Sequence, residues 1–66
     1  MKTQEIGQML RKIRLPLGQQ SVAKAAGTTQ GYISEVERGR RNVSLAMLNK
    51  IAAALGYRLV LKLVRK

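Results

Sequence analysis

The sequence contains neither cysteine nor histidine. Without cysteine, no disulfide and no thiolate-ligated metal can staple the fold, and without either residue no zinc-finger spacing exists. The same absences remove most general-base and nucleophile arrangements. Only three acids, Glu5, Glu35 and Glu37, remain for acid–base chemistry. No glycine-rich phosphate loop is present. An enzyme is therefore not expected, nor a metal or other cofactor. No apolar run approaches the roughly 20 residues of a membrane span, so a membrane is not an expected partner. The opening MKTQEIGQML lacks the apolar core of a signal peptide. The expected location is cytoplasmic. Repeats, linkers and low-complexity tracts are absent as well.

Against those three acids stand 13 lysines and arginines, a formal charge of +10 on 66 residues. Such a surplus points to a polyanionic partner, nucleic acid ahead of a membrane surface, with simple solubility as the bland alternative. The length fits one small domain. A chain of this size buries only about 60% of the surface it exposes when unfolded, so it is marginal alone. With no staples available, oligomerisation is the remaining common source of extra buried area.

The chain is organised around Gln19–Gly39, QQSVAKAAGTTQGYISEVERG. It reads as two short helices joined by a tight turn. Val22, Ala23 and Ala26 are small or apolar on the first helix. Ile33 and Val36 mark the inner face of the second, with Thr29, Gln30 and Ser34 on another face. Gly27 lies between them, where a residue free to take positive φ can end one helix and redirect the chain. Ala23 allows a close crossing. This pair has the pattern of a DNA-binding helix-turn-helix, whose second helix enters the major groove.

Around it, Thr3 is a candidate N-cap with Glu5 in the first turn. Ile6, Met9, Leu10 and Ile13 repeat at helical spacing, so a first helix is expected over Thr3–Arg14, with Met9 as core filler. Pro16 ends it. Gly18 caps a second helix opened by Gln19 and Gln20, whose free N–H groups can hold a phosphate. The plain reading of Gln19 is an exposed helix start. A third helix begins near Thr28 or Thr29, with Thr28 able to cap it, and puts Thr29, Gln30 and Gly31 in its first turn. Gln pairs with adenine through two contacts, and the Thr methyl can touch thymine. Glu35 either pairs with Arg38 or accepts from a cytosine amine, the ion pair being preferred. Tyr32 either packs its ring at the edge or sets its hydroxyl against a phosphate. Arg38, Gly39, Arg40, Arg41 and Asn42 form a basic loop suited to phosphate contacts, although arginines at a helix C-terminus also suit its dipole.

Ser44 caps a fourth helix with Leu45, Leu48, Ile51, Ala52 and Leu55 on its buried face, stopped by Gly56. Beyond it the period changes to two. Tyr57, Leu59, Leu61 and Leu63 alternate with Arg58, Val60, Lys62 and Val64, the pattern of a strand over Tyr57–Arg65. A lone strand has no partner in a helical chain, so pairing with a second copy is the expectation. A continued helix and a membrane-surface tail are the alternatives. The expected fold is all-α: a compact four- to five-helix bundle with the helix-turn-helix over residues 1–56, and a C-terminal dimerisation strand over residues 57–66.

The residues Gln19, Ala23, Ala26-Gly27, Ile33-Ser34, Glu37-Arg38-Gly39, Asn42, Ser44, Leu45, Leu48 and Ala54-Leu55-Gly56 resemble the phage-repressor-like (Cro/repressor, XRE-type) helix-turn-helix domains. The resemblance covers more than half the chain. It implies a helical bundle that binds operator DNA as a homodimer on an inverted repeat and acts as a transcriptional repressor. By the same resemblance, Thr29, Gln30 and Gly31 match base-reading positions, to which the face of the helix adds Ser34 and Glu35. Gln19 matches a phosphate-contacting helix start, and the Arg40–Arg41 region matches backbone contacts that Tyr32, Arg38 and Asn42 extend. Glu37 matches an acid that pairs with a basic residue of helix one, here Arg14 or Lys12. The connection Leu15–Gly18 is shorter than usual and holds Pro16. Gly31 offers no side chain where relatives often have a reading residue. The tail after Gly56 resembles that of HipB-type antitoxins, which implies an autoregulating toxin–antitoxin protein with a toxin kinase as second partner. Phage repressors and restriction–modification controllers share the same core, and an antitoxin working mainly by binding its toxin is the rival from another class.

The charge surplus sets a first test. If each subunit of a dimer makes about four phosphate contacts, a log–log plot of DNA binding against salt should have a slope of roughly −7. A flat dependence in fluorescence anisotropy would remove DNA as the main partner.

Overall fold

The computed structural model describes residues 2–66. Four helices form in order: α1 Thr3–Arg14, α2 Gln19–Ala26, α3 Gln30–Glu37 and α4 Leu45–Ala54. Among the described residues there is no strand, and no helix is long and apolar enough to cross a membrane. Packing runs as a chain, α1 on α3, α3 on α2 and α2 on α4.

Every helix sends its apolar stripe to one core. Leu10 comes from α1, Val22, Ala23 and Ala26 from α2, Ile33 and Val36 from α3, and Leu48 and Ile51 from α4. Val22, Val36 and Ile51 are the largest side chains sealed from water, and each such burial contributes about 1.5–3 kcal/mol. Ala23 sits where α2 meets its neighbours and is buried, as a close crossing requires. Met9 is instead 41% exposed and Leu45 58% exposed. Leu45 is the first residue of α4, a turn that the packing on α2 leaves uncovered.

The helix ends follow local chemistry. Gly27 adopts φ 73°, and the Thr28 N–H reaches back to the Ala23 carbonyl at 2.8 Å. This Schellman-type closure satisfies the last carbonyls of α2 while turning the chain into α3. Thr29, not Thr28, caps α3: its hydroxyl accepts from the Tyr32 N–H at 3.1 Å. Ser44 caps α4 by accepting from the Met47 N–H at 3.1 Å. Thr3 is already inside α1 rather than capping it. Glu5 accepts from the Lys2 N–H at 3.0 Å, and the Thr3 hydroxyl donates to Asn42 Oδ1 at 2.6 Å, tying the start of α1 to the α3–α4 loop.

The expected strand over Tyr57–Arg65 is not formed. Residues 57–66 carry no regular structure. Of the alternating face, Leu59 alone packs on the core, while Tyr57, Leu61 and Leu63 stay exposed. Period-two patterning makes a segment compatible with a sheet, but a strand exists only when a ladder partner takes its N–H and C=O groups, and the helical body offers no sheet edge.

One glycine fixes how α1 docks. Gly7 is buried inside α1. A Cβ there would collide with the Val36 carbonyl oxygen and lie 2.8 Å from the Glu37 carbonyl oxygen. These are backbone atoms that cannot rotate away. Gly7→Ala should therefore lower stability by about 1–3 kcal/mol, although alanine is the better helix former by roughly 1 kcal/mol. Gly31→Ala is the control, because nothing lies within 4 Å of that position, and it should hold or raise Tm. Thermal melts in which Gly7→Ala matches the parent would refute the close-approach argument.

Candidate nucleic-acid interface

The side chains that organise this region start from one buried acid. Glu37, at the last position of α3, is only 7% exposed. Arg14, at the end of α1, meets it in a two-pronged pair, Nε to Oε2 and Nη2 to Oε1, both at 2.8 Å. The remaining Arg14 donor, Nη1, bonds the Leu17 carbonyl at 2.9 Å, so the guanidinium also pins the short connection that holds Pro16. Of the two basic candidates for Glu37, Arg14 is thus the partner. Burial by itself pushes the Glu37 carboxyl up. The hydrogen bonds from Arg14 and Gln19, with the charges of Arg14 and Arg11, outweigh that and hold it below the usual carboxylate range. In return the hydrogen bond to Glu37 raises the Arg14 guanidinium further, against its own burial.

From this pair a hydrogen-bonded chain runs outward. Gln19, the first residue of α2, donates Nε2 to Glu37 Oε1 at 3.1 Å. Its own Oε1 accepts from Gln30 Nε2 at 3.2 Å. Gln30 is the first residue of α3 and is exposed. Gln19 is therefore more than an exposed helix start: it links the buried ion pair to the residue that the sequence pattern places at base edges. Thr29 and Gly31 flank Gln30 and are exposed, and Ser34 is half-buried one turn along. The Thr29 hydroxyl is committed to its cap, which leaves its methyl for contact.

The second cluster lies at the far end of α3. Glu35 pairs with Arg41 at 3.1 Å, not with Arg38 as expected, because the Schellman-type turn at Gly39, with the Arg40 N–H on the Glu35 carbonyl at 2.9 Å, brings the loop back over α3. Arg41 also sits over the Tyr32 ring, 5.1 Å from its centroid. Both partners of this ion pair are about half exposed, so it is worth little and a phosphate can compete for Arg41. Arg38 and Arg40 are exposed and form no ion pair among the described residues. Asn42 accepts from Thr3. Tyr57, Leu61 and Leu63 lie outside this cluster on the tail.

Gly7 was not singled out by the sequence, and neither was the link between Gln19 and Gln30. A signal for the first existed: Gly7, Leu10 and Arg14 share a helix face at i, i+3 and i+7, where an isolated glycine marks close approach. Nothing in the sequence signals the second, since both glutamines have ordinary exposed roles.

A helix-turn-helix family model matches residues 10–62. The chain belongs to the helix-turn-helix family. The chain is 46% identical over 50 residues to the control protein C.MunI of Mycoplasma sp, a match spanning 76% of this chain and 68% of that one. It is 45% identical over 53 residues to the control protein C.BamHI of Bacillus amyloliquefaciens, spanning 76% and 65%. Among solved structures, the restriction-modification controller protein C.AhdI from Aeromonas hydrophila superposes with a TM-score of 0.82 at 40% identity, covering 85% of this chain and 84% of that one. Neither the family match nor these relatives supports the expected toxin–antitoxin setting with its toxin kinase.

The buried pair makes stability depend on pH. Because the folded Glu37 carboxyl binds its proton less tightly than the unfolded one, the pair's contribution is complete above the ordinary value of 4.5 and is lost as pH falls through the lower folded value. Urea midpoints should therefore drop on acidification below about pH 5. Glu37→Gln should cost about 1–3 kcal/mol at neutral pH by leaving a partly buried guanidinium without its counter-charge, and the acid limb of its profile should flatten. A Glu37→Gln protein with the parent's acid limb would show that other groups set it.

Proposed function

We propose that this chain is a sequence-specific DNA-binding transcriptional regulator of the controller type, acting as a homodimer on an inverted-repeat operator. The observation that carries the reading is the chain Glu37–Gln19–Gln30. It presents an exposed amide at the start of α3, held from behind by a half-buried amide bonded to the buried Glu37. A preoriented amide loses little rotamer freedom on binding. Gln30 turned to a base edge presents the donor–acceptor pair that matches adenine N7 and N6. Thr29, Gly31, Ser34 and Glu35 complete the readout face, and Gln19, Tyr32, Arg38, Arg40, Arg41 and Asn42 supply backbone contacts. Similarity to the control proteins C.MunI and C.BamHI and to the controller C.AhdI favours this class over other helix-turn-helix regulators. Repression by occupying a promoter is the mode proposed.

Dimerisation is proposed to cover the apolar side chains that one chain leaves in water, Tyr57, Leu61 and Leu63. Two readout helices then meet successive major grooves about 34–36 Å apart.

Gln30→Ala is expected to lower affinity for the selected operator by about 1–3 kcal/mol and to relax specificity at that position, while sedimentation still gives twice the chain mass. Arg41→Ala should weaken operator and random DNA about equally. Equal losses for Gln30→Ala on both DNAs would move readout to another residue.

A further inference from the structure

An open cleft of about 700 Å³ lies beside the α1–α3 contact, lined by residues of both helices. Gln8 and Arg11 of α1 line it with Ser34 of α3, Arg38 and Arg40 of the turn and loop that follow α3, and Gln19 at the start of α2. Charge within the cleft does not balance. The chain has three acids, and each is already engaged: Glu5 by the Lys2 N–H, Glu35 by Arg41 and Glu37 by Arg14. Arg11, Arg38 and Arg40 are left without a carboxylate among the described residues, although all three line one concavity. Arg11 is near enough for its charge to act on the Glu37 carboxylate, yet that acid is saturated by Arg14 and Gln19. Three guanidiniums lining one cleft repel one another unless an anion from outside joins them, and their forked donors suit phosphate oxygens.

We propose that this cleft seats a backbone phosphate of duplex DNA, with Arg11 as a contact contributed by the supporting helix and Gln8 as a neutral donor beside it. The interface then extends past the two-helix motif onto α1. Duplex DNA is favoured over a free anion because the cleft is continuous with the readout face: Gln19 lines it and also bonds Gln30. A strand whose bases meet Gln30 passes Gln19 and enters the cleft. The inference rests on the DNA-binding reading above, and its test separates the two.

Binding of the full chain to its selected operator and to random duplex is measured by anisotropy across a salt series, for the parent, Arg11→Gln and Arg11→Lys. Arg11 is exposed and its side chain makes no hydrogen bond to other described residues, so the fold should persist, checked by thermal melting. Arg11→Gln should weaken both DNAs alike. With one cleft per subunit, its log–log salt slope should be shallower by roughly two, about 0.9 per lost contact. Arg11→Lys, which keeps the charge, should retain most of the parent slope. Parent-like affinity and slope for Arg11→Gln on DNA that the parent binds would overturn the cleft assignment and leave the DNA reading intact. A parent that binds no duplex would overturn both. Inorganic pyrophosphate that raises the Tm of the parent but not of Arg11→Gln, with duplex binding unchanged, would overturn the DNA occupant in favour of a small anion.

Discussion

The structure depends on keeping one carboxylate ionised where water barely reaches it. Glu37 is 7% exposed, and an unpaired carboxylate there would take up a proton or unfold its surroundings. Arg14 prevents both with a two-pronged pair, and its third donor fixes Leu17. Such a pair is not a large net source of stability, because desolvation consumes most of the attraction. Its value lies in geometry. It defines where α1 ends, where α3 ends and where α2 begins, because Gln19 completes the shell of the same acid. Every buried side-chain polar atom among the described residues has a partner, so the network has no loose member to absorb a change elsewhere.

From that fixed point, core and surface are coupled by a short path. A partly buried guanidinium holds a buried carboxylate, the carboxylate orients one amide, and that amide orients a second amide at the exposed start of α3. The close docking of α1 serves the same end. Gly7 lets the helix lie against the Val36 and Glu37 carbonyls, and a larger residue would shift the helix carrying Arg14. The proposed readout face therefore inherits its precision from backbone contacts at the other end of α3. The apolar core contributes most of the stability, while the polar network selects one arrangement of helices.

Electrostatics divides the surface by function. With three acids against 13 basic residues, intramolecular pairing is exhausted early, and the surplus cannot be neutralised within the chain. Around α3 that surplus is ordered rather than spread: Arg41 lies over Tyr32 beside Glu35, while Arg38 and Arg40 line the cleft with Arg11. On the proposed DNA-binding reading, such a surface holds the backbone with little sequence preference, and the few neutral donors at the start of α3 are left to discriminate. On that reading, affinity and specificity come from different residue types at different places on one face.

Much of this was legible in the sequence because it is local. Helical spacing of Ile6, Leu10, Val22, Ala26, Ile33, Val36, Leu48 and Ile51 marks the buried stripes. Gly27 and Gly39 mark helix ends because positive φ is a property of one residue, and Ser44 caps because its hydroxyl meets an N–H three positions on. The spacing of the motif pointed to Gln30 for the same reason. What the sequence left open depends on which distant groups meet. Arg14 and Lys12 were equal candidates for Glu37 until the short Pro16 connection set the direction of α1. Glu35 took Arg41 instead of Arg38 because the loop folds back at Gly39. The alternation after Gly56 declared a strand that one chain cannot form, since a ladder needs a second edge and period two only makes a segment ready for one. The sequence by itself determined the four helices, their buried faces and the excess of positive charge, all set by neighbours within a turn or by composition. The tertiary structure alone decided the partner of Glu37, the link from Gln19 to Gln30 and the cleft that gathers Arg11, Arg38 and Arg40. These join residues far apart in the chain, and no periodicity encodes a meeting between distant side chains.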